Sequence, residues 1–136
     1  MLTRFYDAQK NVYDEALEEV RKGKKRTHWM WFIFPQLKGL GSSTTANYYG
    51  IDGIAEAEEY LAEDVLKARL IEISEALLGL DTDDARVVFG SPDNLKLKSC
   101  MTLFYVVDNG NAVFKDVLDK FFDGKMDNST IRLLKF

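Results

Sequence analysis

His28-Trp29-Met30-Trp31-Phe32-Ile33-Phe34-Pro35-Gln36-Leu37 is the stretch whose reading decides the fold class. It carries both tryptophans and the only histidine, and it follows directly on Lys24-Lys25-Arg26. Aromatic and β-branched residues favour strands. Against that, Thr27 could cap a short helix from His28 to Phe34, closed before Pro35 because the residue preceding proline avoids helical geometry. Periodicity does not separate the two readings, since the run is apolar on every side. That in itself predicts a segment buried all round. No strand is strongly signalled elsewhere, so the chain reads as all-α.

Outward from this run the helical spacing is clear. Upstream, Phe5, Ala8, Val12, Ala16 and Val20 recur at three- and four-residue steps, while Asp14, Glu15, Glu18 and Glu19 mark the wet side. This predicts one helix from an N-cap at Thr3 to about Lys22, with Gly23 as its stop. Downstream, a glycine- and serine-rich loop over 38–43 leads to a short helix started by Ser43 or Thr44. Asp52 caps the next helix, with Ile54, Ala57 and Leu61 inward. Asp64 begins a longer one with Leu66, Leu70, Ile73, Leu77 and Leu78 on its apolar face, ended by Gly79, and Asp81 or Thr82 opens a turn of helix to Phe89. Ser91-Pro92-Asp93 reads as N-cap, first-position proline and first-turn acid of a helix that points Leu97, Cys100, Met101, Phe104 and Val107 inward. Asn109-Gly110-Asn111 signals a turn. A helix with Val113, Val117, Leu118, Phe121 and Phe122 follows and stops at Gly124, and Ser129 caps a last short one. The expectation is a single compact domain over 1–136 of seven or eight short helices.

With 46% hydrophobic and 12% aromatic residues in 136, the chain has ample material for a core. Its net charge of −4 and pI near 5.0 would repel nucleic acid and anionic membranes as a whole, so neither is expected as a partner. The longest apolar run, Trp29 to Phe34, falls far short of the ~20 residues of a membrane span. Met1 to Asp7 contains no long apolar segment of a secretory signal. One cysteine, Cys100, excludes an intramolecular disulfide and is compatible with a reducing compartment. A cytoplasmic protein is expected, of open oligomeric state.

One histidine and one cysteine cannot supply the usual zinc sets, and Asp81-Thr82-Asp83-Asp84 lacks the central glycine and closing glutamate of a calcium loop. No metal and no cofactor are expected. Gly39-Leu40-Gly41-Ser42-Ser43-Thr44 has two glycines at dinucleotide-loop spacing, but Thr44 replaces the third and no strand precedes it; an ordinary capped helix start explains it better. His28 is the only imidazole available for acid–base work. Cys100 falls on the apolar face of its helix and reads as core. Trp29 and Trp31 could stack on a ring. Arg21, Lys22, Lys24, Lys25 and Arg26 place a local charge of +5 beside them. Lys96 and Lys98 lie near a helix start, where lysines do not serve the helix dipole. With Asp93, they are candidates for ligand contact.

The runs from His28 to Gly41 and from Phe89 to Phe104 resemble the two signature stretches of the bacterial family catalogued as domain of unknown function 1810. Arg4-Phe5 with Ala8-Gln9, Val113-Phe114 with Val117-Leu118, and the closing Gly124, Asp127, Thr130 and Leu133-Leu134 fit the same pattern, over nearly the whole chain. The resemblance implies a mainly α-helical domain and carries no catalytic assignment. The small helical layout is also similar in style to the ADP-ribose-processing N-glycosidase group called NADAR, without a residue-by-residue match. Three readings follow. The first is a module binding an anionic, nucleotide-like or phosphorylated small molecule through Trp29, Trp31, Gln36, Lys96 and Lys98. The second is a hydrolase of a nucleotide or ADP-ribose-type substrate with His28 or Asp93 as the catalytic base. The third is a non-catalytic protein-interaction domain. Whether the protein is an enzyme stays open at this point.

Overall fold

A computed structural model describes residues 2–108 and 110–134. Among the described residues there are ten helices: α1 (Thr3–Gln9), α2 (Tyr13–Arg21), α3 (Met30–Ile33), α4 (Thr44–Tyr49), α5 (Gly53–Ala62), α6 (Asp64–Leu78), α7 (Ala85–Phe89), α8 (Asp93–Val107), α9 (Ala112–Phe122) and α10 (Asn128–Leu134). Between the helices, an isolated parallel bridge joins Leu37 and Ile51, and no strand occurs among the described residues. The fold is all-α, and none of these helices is long and apolar enough to cross a membrane.

The core is organised on α8. From Leu97 to Phe104 this helix is buried almost without interruption, because α5, α7, α9 and α10 all pack on it. A second layer forms where α6 meets α9, α2 and α5, and at the edge α1 packs on α3, which in turn packs on α4. Every helix except α4 and α10 contributes a buried apolar side chain. Lys120 of α9 donates to the carbonyls of Leu77, Leu78 and Leu80 at 3.0, 3.1 and 2.5 Å. A cation thus closes the C-terminal end of α6, where its dipole is negative.

Several boundaries differ from the sequence reading. The single helix over 3–22 is two, which raises the count above the expected seven or eight. The break at 10–12 lets the halves bury different faces. Phe5 and Gln9 turn toward α3 and α5; Tyr13, Ala16, Leu17 and Val20 turn toward α6. Gln9 is 1% exposed and is the joint. Its amide donates to the Phe32 carbonyl at 2.8 Å and the Tyr60 hydroxyl at 3.1 Å, and its Oε1 accepts from Arg69 at 3.3 Å. Thr3 lies inside the first turn of α1 rather than capping it. Pro92, after a cis Ser91–Pro92 peptide, occupies the N-cap of α8 that Ser91 was expected to fill. Asp127, not Ser129, caps α10, its Oδ2 accepting from the Thr130 amide at 2.9 Å. Ser43 caps α4 as expected, accepting from the Ala46 amide at 3.0 Å. Of the turn at 109–111, Asn109 lies outside the described residues, and Asn111 caps α9.

The aromatic run is helical but not buried all round. Trp29, Met30, Ile33 and Phe34 are core, whereas Trp31 and Phe32 are half-buried. That asymmetry gives the run a face toward solvent.

Candidate functional site

The site begins with a buried carboxylate. Glu19, on α2, is 7% exposed rather than on the wet side. Its Oε1 accepts from the amides of Arg26 and Thr27 at 2.7 and 3.1 Å and from the Trp29 indole Nε1 at 2.9 Å. Its Oε2 accepts from the Thr27 hydroxyl at 2.8 Å. Burial pushes this carboxyl's pKa up, and the four hydrogen bonds more than reverse that, bringing it down to about 2. Thr27 therefore holds the loop to Glu19 and does not cap α3.

The loop so fixed delivers Lys25 to the start of α8. Lys25 Nζ lies 3.1 Å from Asp93 Oδ2 and 5.1 Å from the Trp29 ring centroid. Asp93 Oδ1 is 3.5 Å from Lys96 Nζ one helical turn on. One carboxylate thus sits between two ammonium groups, a local charge of +1. The Lys25 side chain is 9% exposed and that of Lys96 is 25%, so the reachable cation is Lys96. Its Nζ stands 4.9 Å from the centroid of the Trp31 ring, within cation–π range.

Lys96 and Trp31 border a narrow cleft with Phe34, Gln36, Tyr49 and Gly50 among its walls, whose interior has room for about one water molecule. Phe32 and Tyr49 pack with their rings tilted at 49° and centroids 5.3 Å apart, tying α4 to α3. The floor depends on a close backbone approach. The Lys38 amide donates to the Ile51 carbonyl at 2.8 Å and the Ile51 amide to the Gln36 carbonyl at 2.9 Å. A Cβ on Gly50 would stand 2.7 Å from Lys38 Cα, so only glycine permits this contact. The Gly50 carbonyl in turn accepts from Arg4 at 2.9 Å. The result is a largely apolar recess, with three aromatic rings, one side-chain amide and one cation among its walls; small-molecule sites share that composition.

A shallower groove adjoins this cleft and shares Gln36 and Lys96 with it; Gly41, Pro92, Leu95 and Asp127 are among its walls. In the hydroxyl-rich loop between them, the Ser43 hydroxyl is engaged in capping α4.

Of the residues expected at a site, Trp31, Gln36 and Lys96 share the cleft, and Asp93 lies behind it. Three do not join them. Trp29 is 0% exposed; it packs on Phe34 and Phe89 and belongs to the core, which corrects its expected role as a stacking platform. Lys98 points the other way, its Nζ 5.9 Å from the Phe122 ring centroid, because two residues along a helix turn the side chain by about 200°. His28 is exposed, and among the described residues no hydrogen bond or ion pair links it to Asp93 or Lys96. Tyr49 and Gly50, which also wall the cleft, and Lys25, which pairs with Asp93, were not among the expected residues; the signal for Lys25 lay in the basic cluster before the aromatic run. That cluster disperses. Lys22 pairs with Glu18 at 2.8 Å, and Arg21 lies on another surface beside Glu72 and Glu75. Cys100 is fully buried, which raises its thiol pKa well above the ordinary range and leaves it inert. Among the described residues no group of three or more His, Cys, Asp or Glu side chains could hold a metal ion.

A family model described as a protein of unknown function, DUF1810, matches residues 1–134. This chain belongs to that family. A solved structure, that of the conserved hypothetical protein Rv1873 from Mycobacterium tuberculosis, is 45% identical. It matches with a TM-score of 0.97 over 99% of this chain and 96% of that one. No curated protein matches by sequence. Membership therefore brings the fold with it and leaves the chemistry to the residues themselves.

Proposed function

We propose that this family member binds a small anionic molecule carrying a planar ring, of the nucleotide or ring-phosphate kind, in the cleft between α3, α4 and α8. The observation that carries this reading is Lys96, an ammonium at the mouth of a largely apolar recess and 4.9 Å from the Trp31 ring centroid. The ring lies at the mouth of the cleft against the half-buried Trp31, since the recess behind it has room for about one water, and the anionic group meets Lys96. Asp93, anchored by Lys25, limits where the Lys96 ammonium can stand. Gln36 supplies an amide for the ring edge.

Hydrolysis with His28 or Asp93 as base has less support. His28 is not at the cleft, and each Asp93 oxygen already faces an ammonium. Binding without turnover needs neither.

A thermal-shift and calorimetric titration with AMP, UMP and ribose 5-phosphate tests the reading, since a ligand of the folded state raises the melting temperature by mass action. At least one nucleotide is expected to stabilise the protein. Lys96→Met, which keeps the stem and removes the charge, and Trp31→Ala are each expected to weaken its binding by roughly ten- to a hundredfold, the scale of one stacking or charge-assisted contact. Lack of stabilisation by any of the three, or binding indifferent to both substitutions, would sink the reading and leave the protein-interaction domain in front.

A further inference from the structure

Resting on that reading, we infer that residues 42–49 form a flap which lifts to admit the ring from the mouth of the cleft onto its apolar floor. The chain leaves the body of the fold and rejoins it at one place. There the Lys38 amide donates to the Ile51 carbonyl at 2.8 Å and the Ile51 amide to the Gln36 carbonyl at 2.9 Å. A segment that starts and ends at one pinned base is an Ω-type loop. Leu40 still packs on the core, so the movable part lies beyond it.

Little holds that part down. No side chain of α4 is buried, and residues 42–49 carry no charge with which to form an ion pair. Their hydrogen bonds stay among themselves. Ser43 caps the helix, and the Asn47 amide donates to the Ser42 carbonyl at 3.5 Å. Among the described residues no hydrogen bond joins 42–49 to the rest of the chain. The latch is Tyr49, whose ring lies 5.3 Å from that of Phe32 and 6.1 Å from that of Phe5, centroid to centroid. Releasing it costs far less than unfolding the core, so the flap opens as a local unit. Ala46 and Tyr49 form the flap's side of the cleft, and Met30 and Phe34, each 1% exposed, form its floor. Trp31 and Lys96 belong to α3 and α8, so they stay in place when α4 moves. A ring on Trp31 with its anion at Lys96 then gains the floor, and binding shifts the population toward the open form.

Methionine oxidation by hydrogen peroxide, followed on the full chain by mass spectrometry, tests this with internal controls. Met126 is 39% exposed, Met30 lies under the flap and Met101 is 0% exposed in the core. Met30 is expected to react more slowly than Met126 but well ahead of Met101, which reports global unfolding. Phe32→Leu loosens the latch, and Ser43→Ala frays α4 from an exposed position without touching α3. Each should speed Met30 by roughly fivefold, the scale of one aromatic pair or one helix cap, and leave Met101 unchanged. Met30 as slow as Met101, or indifferent to both substitutions, overturns the flap. AMP or UMP is expected to slow Met30 oxidation. A nucleotide that binds by calorimetry yet leaves Met30 unprotected keeps its ring outside and also overturns the inference. If Met30 is gated as expected and neither nucleotide binds, the flap stands and the ring-phosphate reading falls.

Discussion

Replacing Glu19 with glutamine is expected to lower the melting temperature by roughly 10 °C at neutral pH, a loss of about 3 kcal/mol in a chain of this size, and by much less near pH 3. The carboxylate accepts from two backbone amides, a hydroxyl and an indole. A glutamine keeps one acceptor oxygen but turns an NH2 group toward donors that need an acceptor. Hydrogen bonds to a charged acceptor are stronger than neutral ones, and stranded donors carry the full cost of their desolvation. The pH dependence follows from the depressed pKa. With the folded value about 2 against an ordinary 4.5, the stabilisation is fully present above about pH 4.5 and drains away as pH falls toward 2. Glutamine does not titrate, so the gap between the two proteins should narrow over that interval. Urea unfolding of both at pH 7, 4.5 and 3 measures it. A gap that stays constant with pH would show that the negative charge is not what stabilises the loop.

The two tryptophans are expected to behave oppositely. Trp29→Ala should cost roughly 4 kcal/mol, the scale of a large aromatic deleted from a closed core. It empties a site that is 0% exposed, removes contacts to Phe34 and Phe89 and leaves Glu19 without its indole donor. Trp31→Ala removes a half-buried ring at the edge of a cleft and should cost under about 1.5 kcal/mol. Denaturant titration gives both values. Comparable losses would contradict the division of the aromatic run into a core face and a cleft face, and with it the ligand site.

Much of the fold was legible because helical spacing reports burial. Phe5, Ala16 and Val20, then Leu66, Leu70, Ile73 and Leu77, then Leu97, Cys100, Met101 and Phe104 are core as their periodicity demands. The break between α1 and α2 was not legible, since nothing in Lys10-Asn11-Val12 forbids a helix; the hydrogen bonds that Gln9 makes to partners far along the chain lie at that break. Glu19 was hidden for a related reason. Its partners are mostly backbone groups and an indole, and backbone donors leave no trace in residue type. At the candidate site, composition and placement pointed to Trp31, Gln36, Lys96 and Asp93, and the fold brings these four close together. Trp29 and Lys98 were misassigned because a four-residue apolar helix has too few turns to phase, and because a pair of lysines two apart cannot share a helix face. His28 drew attention by being unique, which says nothing about where a side chain points.

The bonds to Glu19 have a consequence for how the basic loop moves. Arg26 and Thr27 have exposed side chains, yet their amide hydrogens end on a carboxylate that is itself part of the interior. Those amides can reach solvent only by openings that release Glu19, so their hydrogen–deuterium exchange should keep pace with amides of α8. The neighbouring His28 amide, with no protein acceptor among the described residues, should exchange far sooner. Mass spectrometry or NMR would read the contrast directly, and early exchange at 26 and 27 would argue against it. Measured this way, the segment that places Lys25 behaves as interior, and the surface loop begins only at its side chains.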